Sequence, residues 1–400
     1  MNRILNIKNI EDAREELKKI KVSSQGVEVM APKALGCSIK LTGVKLGAAN
    51  ILKQEMLGIG GDAAVARGVV NGKEEISDVI LLGNADKIKK LIKKLNYQTI
   101  FDLPKIQADL QEMLKDLLGK RKHSLNCGGK NLALNKTRVM GILNVTPDSF
   151  SDGSKFIGLD SAIAQAKEMI AANVDIIDIG GESTRPGAEP VTAEEELKRV
   201  IPVIKAIRKF SDVIISIDTF KAVVAKEAIA AGADIINDIS ALEGDENMLQ
   251  VLQENPNIPI ILMHKKGTPQ TMQINPYYDD VIEEISTYLA ERINFCETNG
   301  VSKERIVVDP GIGFGKRQED NLKILQRLKE FHALGVPVLL GASRKGFIGK
   351  IYESTPAERE DGTLATTAVA FESGVQIVRV HSVQSNVRLL QILQAIKDVK

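Results

Sequence analysis

From residue 137 to the C-terminus, two rhythms of apolar and polar positions alternate along the chain. Short, near-continuous aliphatic and β-branched runs end in polar or Gly-rich segments. Each is followed by a stretch with apolar residues every three or four positions. The first rhythm predicts strands at Val139–Val145, Val174–Gly180, Val213–Asp218, Asp234–Ile239, Pro259–His264, Ile306–Asp309, Val336–Gly341 and Val375–His381. The second predicts helices between them. Leu197, Val200, Ile201 and Ile204 share one helical face, Ile282, Ile285 and Leu289 another, and Val383, Val387, Leu390 and Leu393 a third. Apolar strands without alternation are buried on both sides, which is the signature of a parallel sheet. Eight evenly spaced strand–helix units predict an α/β fold, a (β/α)8 TIM barrel, whose usual size is about 250 residues. A doubly wound open sheet is the competing arrangement.

The pattern before residue 126 is different. Strand-like runs at Ser38–Thr42 and Asp78–Leu82 sit among Gly-rich turns such as Gly58–Gly61. Ile88, Leu91, Ile92 and Leu95 mark one face of a helix whose lysines fall mostly on the other, a pattern of a solvated face. A second amphipathic segment spans Ile106–Leu118, and Gly119–Lys130 reads as a polar linker. The expected organisation is therefore a small α/β domain over 1–125, of unknown role, followed by a barrel over 126–400.

Composition changes this picture little. The chain is 44% hydrophobic and 26% charged with a net charge of +1, which argues against a polyanion-binding surface over the whole molecule and leaves room for a local basic pocket. No apolar run approaches a membrane span, and the first residues lack a signal-peptide core. Cys37, Cys127 and Cys296 are isolated and odd in number, so they read as reduced thiols of a cytoplasmic protein.

The chemistry lies at the strand ends. They offer Asn144, Glu182, Asp218, Asn237, His264, Asp309, Lys345, Arg379 and His381. Any one of these has a bland reading, such as a helix cap or a satisfied core histidine. In a barrel they gather at the C-terminal mouth, where active sites of this fold sit. Asp218, Asn237 and Asp309 suit a flat heterocycle rich in N–H groups, because a carboxylate accepts two parallel hydrogen bonds. Arg379 and His381 suit an anion at the usual phosphate position of such barrels. Asn144 neighbours the last strand once the barrel closes, and its amide oxygen suits a magnesium shell completed by phosphate oxygens and water. The residues thus suggest a heterocycle with a phosphorylated arm.

Six segments also carry a family resemblance: Gly141–Phe150, Gly181–Gly187, Ser216–Thr219, Asp309–Phe314, Ser343–Lys345 and Arg379–His381. In order and spacing they resemble the motifs of the dihydropteroate synthase family, over essentially all of 126–400. The resemblance implies condensation of 6-hydroxymethyl-7,8-dihydropterin diphosphate with 4-aminobenzoate, releasing diphosphate, in folate biosynthesis. It implies that Asp218, Asn237, Met263, Asp309 and Lys345 hold the pterin. Asn144, Arg379 and His381 would hold the diphosphate, with Asn144 on Mg²⁺ as the one protein ligand. Phe150, Thr184, Arg185, Pro186, Phe314, Ser343 and Gly346 would serve the aminobenzoate and the two loops that flank it, a site that sulfonamides would also occupy. Asn144, Asp218, Lys345, Arg379 and His381 would be the catalytic set, acting by a dissociative route.

The resemblance further implies a homodimer through barrel helices, with small-molecule substrates and neither nucleic acid nor membrane as partners. Two departures stand out. Gly346 replaces a side chain that often helps bind the benzoate carboxylate, leaving backbone N–H groups at that helix start. Ser382 follows His381 where Asp is frequent. Two rival functions remain on the same barrel: a pterin-binding methyltransferase module and a non-catalytic pterin-binding or scaffolding relative.

Overall fold

The computed structural model describes residues 1–119, 124–145, 155–183, 190–268 and 270–399. The chain divides into two compact units, Met1–Lys122 and His123–Lys400.

The front unit is an antiparallel sheet with helices. Its strands are β1 (Gly36–Lys45), β2 (Asp62–Val65) and β3 (Ile76–Asn84), in the order β1-β3-β2. The helix expected from the Ile88 periodicity runs over Ala85–Leu95 and buries Ile88, Leu91, Ile92 and Leu95 against Leu52, Met56 and Leu81. The Asn84 side chain caps it by accepting from the Lys87 N–H at 3.0 Å. Two earlier helices, Ile10–Lys19 and Ser24–Ala34, have no counterpart in the sequence reading.

The second unit opens with a hairpin of β4 (Ser124–Cys127) and β5 (Lys130–Ala133). This corrects the expected linker, and it moves the boundary to 122/123 because the hairpin belongs with the barrel. The barrel strands follow: β6 (Arg138–Asn144), β7 (Ile176–Gly180), β8 (Ile214–Asp218), β9 (Ile235–Asp238), β10 (Ile260–Met263), β11 (Ile306–Asp309), β12 (Leu339–Leu340) and β13 (Ile377–Val380). All pair in parallel in the order β11-β10-β9-β8-β7-β6-β13-β12. A parallel bridge between Val308 and Val338 closes the ring.

Side-chain alternation then decides what each strand offers inside. The N-terminal end is sealed by one residue from each strand, Met140, Ile176, Ile214, Ile235, Ile261, Val307, Leu339 and Ile377, packed on Leu125, Cys127, Leu132 and Leu134 of the hairpin. Stepping two residues towards the C-terminal end reaches Asp178, Ser216, Asn237, Met263, Asp309, Gly341 and Arg379; four residues reaches Asn144, Gly180, Asp218 and His381. The outward residues form a separate apolar layer with the surrounding helices, as Ile177, Ile215 and Val308 do. An apolar plug below and a polar tier above are therefore two consequences of one period-2 pattern.

Candidate active site

Arg379 is the centre of the polar tier. Its Nε donates to Asp178 Oδ2 at 2.6 Å and its Nη2 to Asp218 Oδ2 at 2.6 Å. Asn237 Nδ2 donates to the same Asp178 oxygen at 3.1 Å. Burial works against the guanidinium charge, but the two carboxylates more than offset it and hold Arg379 firmly protonated. Asp218 is pushed up to about 7 by burial; Arg379 opposes the rise and Asp178 adds to it. The expected anion-binding cation is thus already engaged by two carboxylates before any ligand arrives.

Asn144 and Asp218 meet over Gly180. A Cβ placed there would lie 3.8 Å from Asn144 Oδ1 and 3.7 Å from Asp218 Oδ2, so the glycine leaves room between them. The half-buried Asn144 side chain faces that room and makes no hydrogen bond to another of the described residues. An unpaired amide oxygen fits a hard cation, but only as a single ligand. Among the described residues no three His, Cys, Asp or Glu side chains form a metal cluster. Mg²⁺ is therefore compatible with the residues if diphosphate and water supply the rest of its shell.

Across the mouth, Asp309 Oδ1 accepts the Gly311 N–H at 2.7 Å, which leaves Oδ2 towards the cavity above Gly341, 3.4 Å from where a Cβ would sit. Burial raises the Asp309 carboxyl, with Lys345 and the Gly311 N–H opposing it. Lys345 donates to the Ile312 carbonyl and lies 4.5 Å above the Phe314 ring. Burial lowers its ammonium to about 8, despite Asp309. Met263 is almost fully buried at the end of β10. The turn after β11 must be tight: at Gly311, φ is +69° and a Cβ would lie 1.9 Å from the His264 carbonyl oxygen.

Ser343 Oγ accepts the His381 backbone N–H at 3.2 Å and lies 3.0 Å from His381 Nδ1. The roles in this contact follow the imidazole tautomer: where the hydroxyl donates to Nδ1, neutral His381 carries its hydrogen on Nε2, facing away from Ser343. Ser382 Oγ accepts from Arg344 Nη2 at 2.8 Å, giving the Ser382 departure a defined partner. Gly346 opens a helix of only four residues, and a Cβ there would meet nothing within 4 Å. The space for a larger side chain exists and is empty.

Two strand-end residues do not join this group. Glu182 Oε2 accepts from Lys221 at 2.6 Å and Oε1 from the Val191 N–H at 3.1 Å. His264 packs edge-on to Tyr288 and lies 3.0 Å from Lys316 Nζ. Burial and that ammonium push its imidazole down to about 2. The inward residue of β10 is Met263, so the next residue faces out. Phe150, Thr184, Arg185 and Pro186 lie outside the described residues. Asp178 and Ser216 were missed by the sequence reading. Their signal was a polar residue at an inward position of an otherwise apolar strand.

A closed parallel barrel with carboxylates, an amide, an arginine and a histidine at its C-terminal mouth defines an enzyme of the TIM-barrel class. A model of the pterin-binding enzymes matches residues 140–381. Dihydropteroate synthase of Escherichia coli is 47% identical over 272 residues, 68% of this chain and 96% of its own length. A probable bifunctional folylpolyglutamate synthase/dihydropteroate synthase of Halobacterium salinarum is 40% identical over 389 residues, 97% of this chain, so that match includes the front unit. The chain spans about half of that relative's length, 46%. The solved dihydropteroate synthase of Xanthomonas albilineans with 4-aminobenzoic acid is 42% identical with a TM-score of 0.66, covering 70% of this chain and 100% of the other. The chain belongs to the dihydropteroate synthase family of pterin-binding enzymes. No helix among the described residues is long and apolar enough to cross a membrane.

Proposed function

We propose that this chain is a transferase that condenses 6-hydroxymethyl-7,8-dihydropterin diphosphate with 4-aminobenzoate to give 7,8-dihydropteroate and diphosphate. The carrying observation is the division of the mouth. Strand order sets Asp218, Asn237 and Asp309 on the arc β8, β9 and β11, and Asn144, Arg379 and His381 on or just after the neighbouring strands β6 and β13, with Arg379 reaching across to Asp218. In this reading Asp218, Asn237 and Asp309 hydrogen-bond the pterin ring over Met263, and Lys345 donates to its polar edge. Phe314 and Ser343 border the aminobenzoate site, and the open position at Gly346 leaves the benzoate carboxylate without a side-chain partner there.

The C–O bond of the exocyclic methylene breaks first, its electron pair leaving on the diphosphate. Arg379 and the His381 Nε2–H stabilise the departing charge, and Asp218 faces the cationic ring. The aniline nitrogen then forms the C–N bond and loses its proton to solvent. Mg²⁺, held through Asn144, would supply Lewis-acid charge at the leaving group. Diphosphate release from the two substrates with Mg²⁺ tests the reading. Pterin binding without release, or transfer of a methyl group from a methylated pterin, would overturn it.

The titrating pair gives a pH prediction. Pterin binding requires Asp218 ionised, so kcat/KM for the pterin substrate rises as pH passes about 7. It requires Lys345 charged, so kcat/KM falls as pH passes about 8. The expected profile is a narrow bell. Lys345→Arg, whose charge persists to high pH, should lose the alkaline limb while keeping the acidic one. A flat profile across this range removes both residues from pterin binding.

We also propose a homodimer. Val369 on the helix Glu360–Glu372 and Ile392 and Ile396 on the adjacent Val383–Lys397 are 41%, 62% and 66% exposed. Such apolar residues on neighbouring helices suit an isologous contact. Light scattering should give a dimer, and Ile392→Glu should give a monomer; a wild-type monomer at micromolar concentration would exclude the dimer.

A further inference from the structure

The barrel interior holds one charged side chain with no role in the reaction as described above. Asp178 stands midway along β7 between Ile177 and Ile179 and is fully buried. Its Oδ2 takes both Arg379 Nε and Asn237 Nδ2. Its Oδ1 is buried and has no hydrogen-bond partner, and the same holds for the hydroxyl of Ser216, its register partner on β8.

Stability alone does not account for this arrangement. A buried ion pair is commonly matched or bettered by apolar residues of similar volume. Here one guanidinium serves two carboxyl groups, one more partner than a single ion pair needs, and Asp178 Oδ1 is left unsatisfied at a cost. The surplus makes sense if Asp218 is a temporary partner of Arg379. A pterin edge that bonds both Asp218 oxygens competes directly with Arg379 Nη2 for Oδ2.

We propose that Asp178 is a positioning residue, the pivot on which Arg379 turns when substrate binds. Arg379 Nε stays on Asp178 Oδ2. Nη2 leaves Asp218 for the unpartnered Asp178 Oδ1, giving the side-on, two-point grip that guanidinium and carboxylate favour. Asp218 is thereby released to the pterin, and the opposite edge of the guanidinium, carrying Nη1, is presented to the diphosphate. Asp178 also orients Asn237 through the shared oxygen, so both halves of the site are set from one buried carboxylate. This inference rests on the proposed reaction.

The test uses the full chain with Mg²⁺ and inorganic diphosphate in calorimetry, alongside steady-state turnover. Asp178→Asn should weaken diphosphate binding and lower kcat, each roughly 10- to 100-fold, as expected for a misplaced catalytic group. The KM for aminobenzoate should stay within about threefold, because none of Phe314, Ser343 and Gly346, the members of that site among the described residues, shares a hydrogen bond with Asp178. The acidic limb of the kcat/KM profile should move to lower pH, since Asp218 then loses a like-charged neighbour and keeps Arg379. In an Arg379→Lys background, Asp178→Asn should add nothing to the loss of diphosphate binding, because the effect is transmitted through the guanidinium fork.

Full additivity in that background would overturn the proposal. So would equal loss of diphosphate and aminobenzoate binding with a lowered melting temperature, which marks a structural role. If Asp178→Asn does not fold, Asp178→Glu keeps the charge and displaces the pivot by one methylene; unchanged kcat in that variant would equally overturn it. Failure of the wild-type chain to release diphosphate sinks the proposed reaction itself, whereas an active wild type with an indifferent Asp178→Asn sinks only the pivot.

Discussion

Arg379→Ala is expected to lower turnover by roughly 100- to 1000-fold, the size of effect that follows loss of one preorganised group on developing charge. The motive is that the guanidinium, on the strand that leads into His381, reaches Asp218, the carboxylate that we assign to the pterin. The structure adds a second consequence that the strand-end pattern did not suggest. Without Arg379, Asp178 and Asp218 lose the cation that they share. Asp218, already at about 7, is pushed higher still. Free pterin should therefore bind poorly to the variant at neutral pH and recover as the pH is raised, whereas turnover should not recover.

Stability follows the same logic. The carboxyl pair is tolerated in the folded variant when one member is protonated, so its folded pKa lies above the unfolded value near about 4. Asp218 is already raised to about 7 in the wild type, so both proteins lose stability alike below that pH, and the variant's deficit grows as pH rises from about 7 through its own higher folded value. Melting temperatures across this range, with calorimetry of free pterin at neutral and alkaline pH, check both statements. Pterin affinity lost equally at every pH would mean that Arg379 shapes the pterin pocket directly and that the division of the site is wrong.

The barrel was legible because parallel strands buried on both faces write themselves as unbroken apolar runs, and their polar terminators mark the mouth. The limits of that legibility are physical. At Val336–Gly341 the run is apolar throughout, yet only Leu339–Leu340 form a regular strand. Pro337 cannot donate to a ladder, and the preceding segment contributes a single bridge at Val338 instead. The helix Ser24–Ala34 was hidden by Gly26 and Pro32, both of which read as breakers. His264 and Glu182 were drawn into the site by position, because a strand end fixes where a residue is but not which way it faces. One step of parity sends His264 out to Tyr288. Asp178 was passed over for the opposite reason. Its partner Arg379 lies 201 residues away in sequence, and the local sign, a polar residue at an inward position of an apolar strand, marks the need for a partner without naming it.

Asp309→Asn is expected to weaken pterin binding by about 1–3 kcal/mol while leaving the fold intact. The two carboxylate oxygens have separate tasks. Oδ1 accepts the Gly311 N–H in a turn where no residue but glycine fits, and Oδ2 faces the cavity above Gly341. An asparagine will keep its oxygen on the Gly311 N–H, because a buried backbone donor without a partner costs as much as the substitution could otherwise gain. Its amide nitrogen is then turned to the cavity, where it meets a ring N–H donor with another donor. Asp309→Ala would confuse the two tasks by stripping Gly311 as well, so the isosteric change is the informative one. The substitution also removes the negative charge that supports Lys345, whose ammonium is already lowered to about 8 by burial. The alkaline limb of the pterin kcat/KM profile should therefore move to lower pH together with the loss of affinity. A pterin dissociation constant and an alkaline limb both unchanged, in a variant that melts as the wild type does, would take Asp309 out of the binding site.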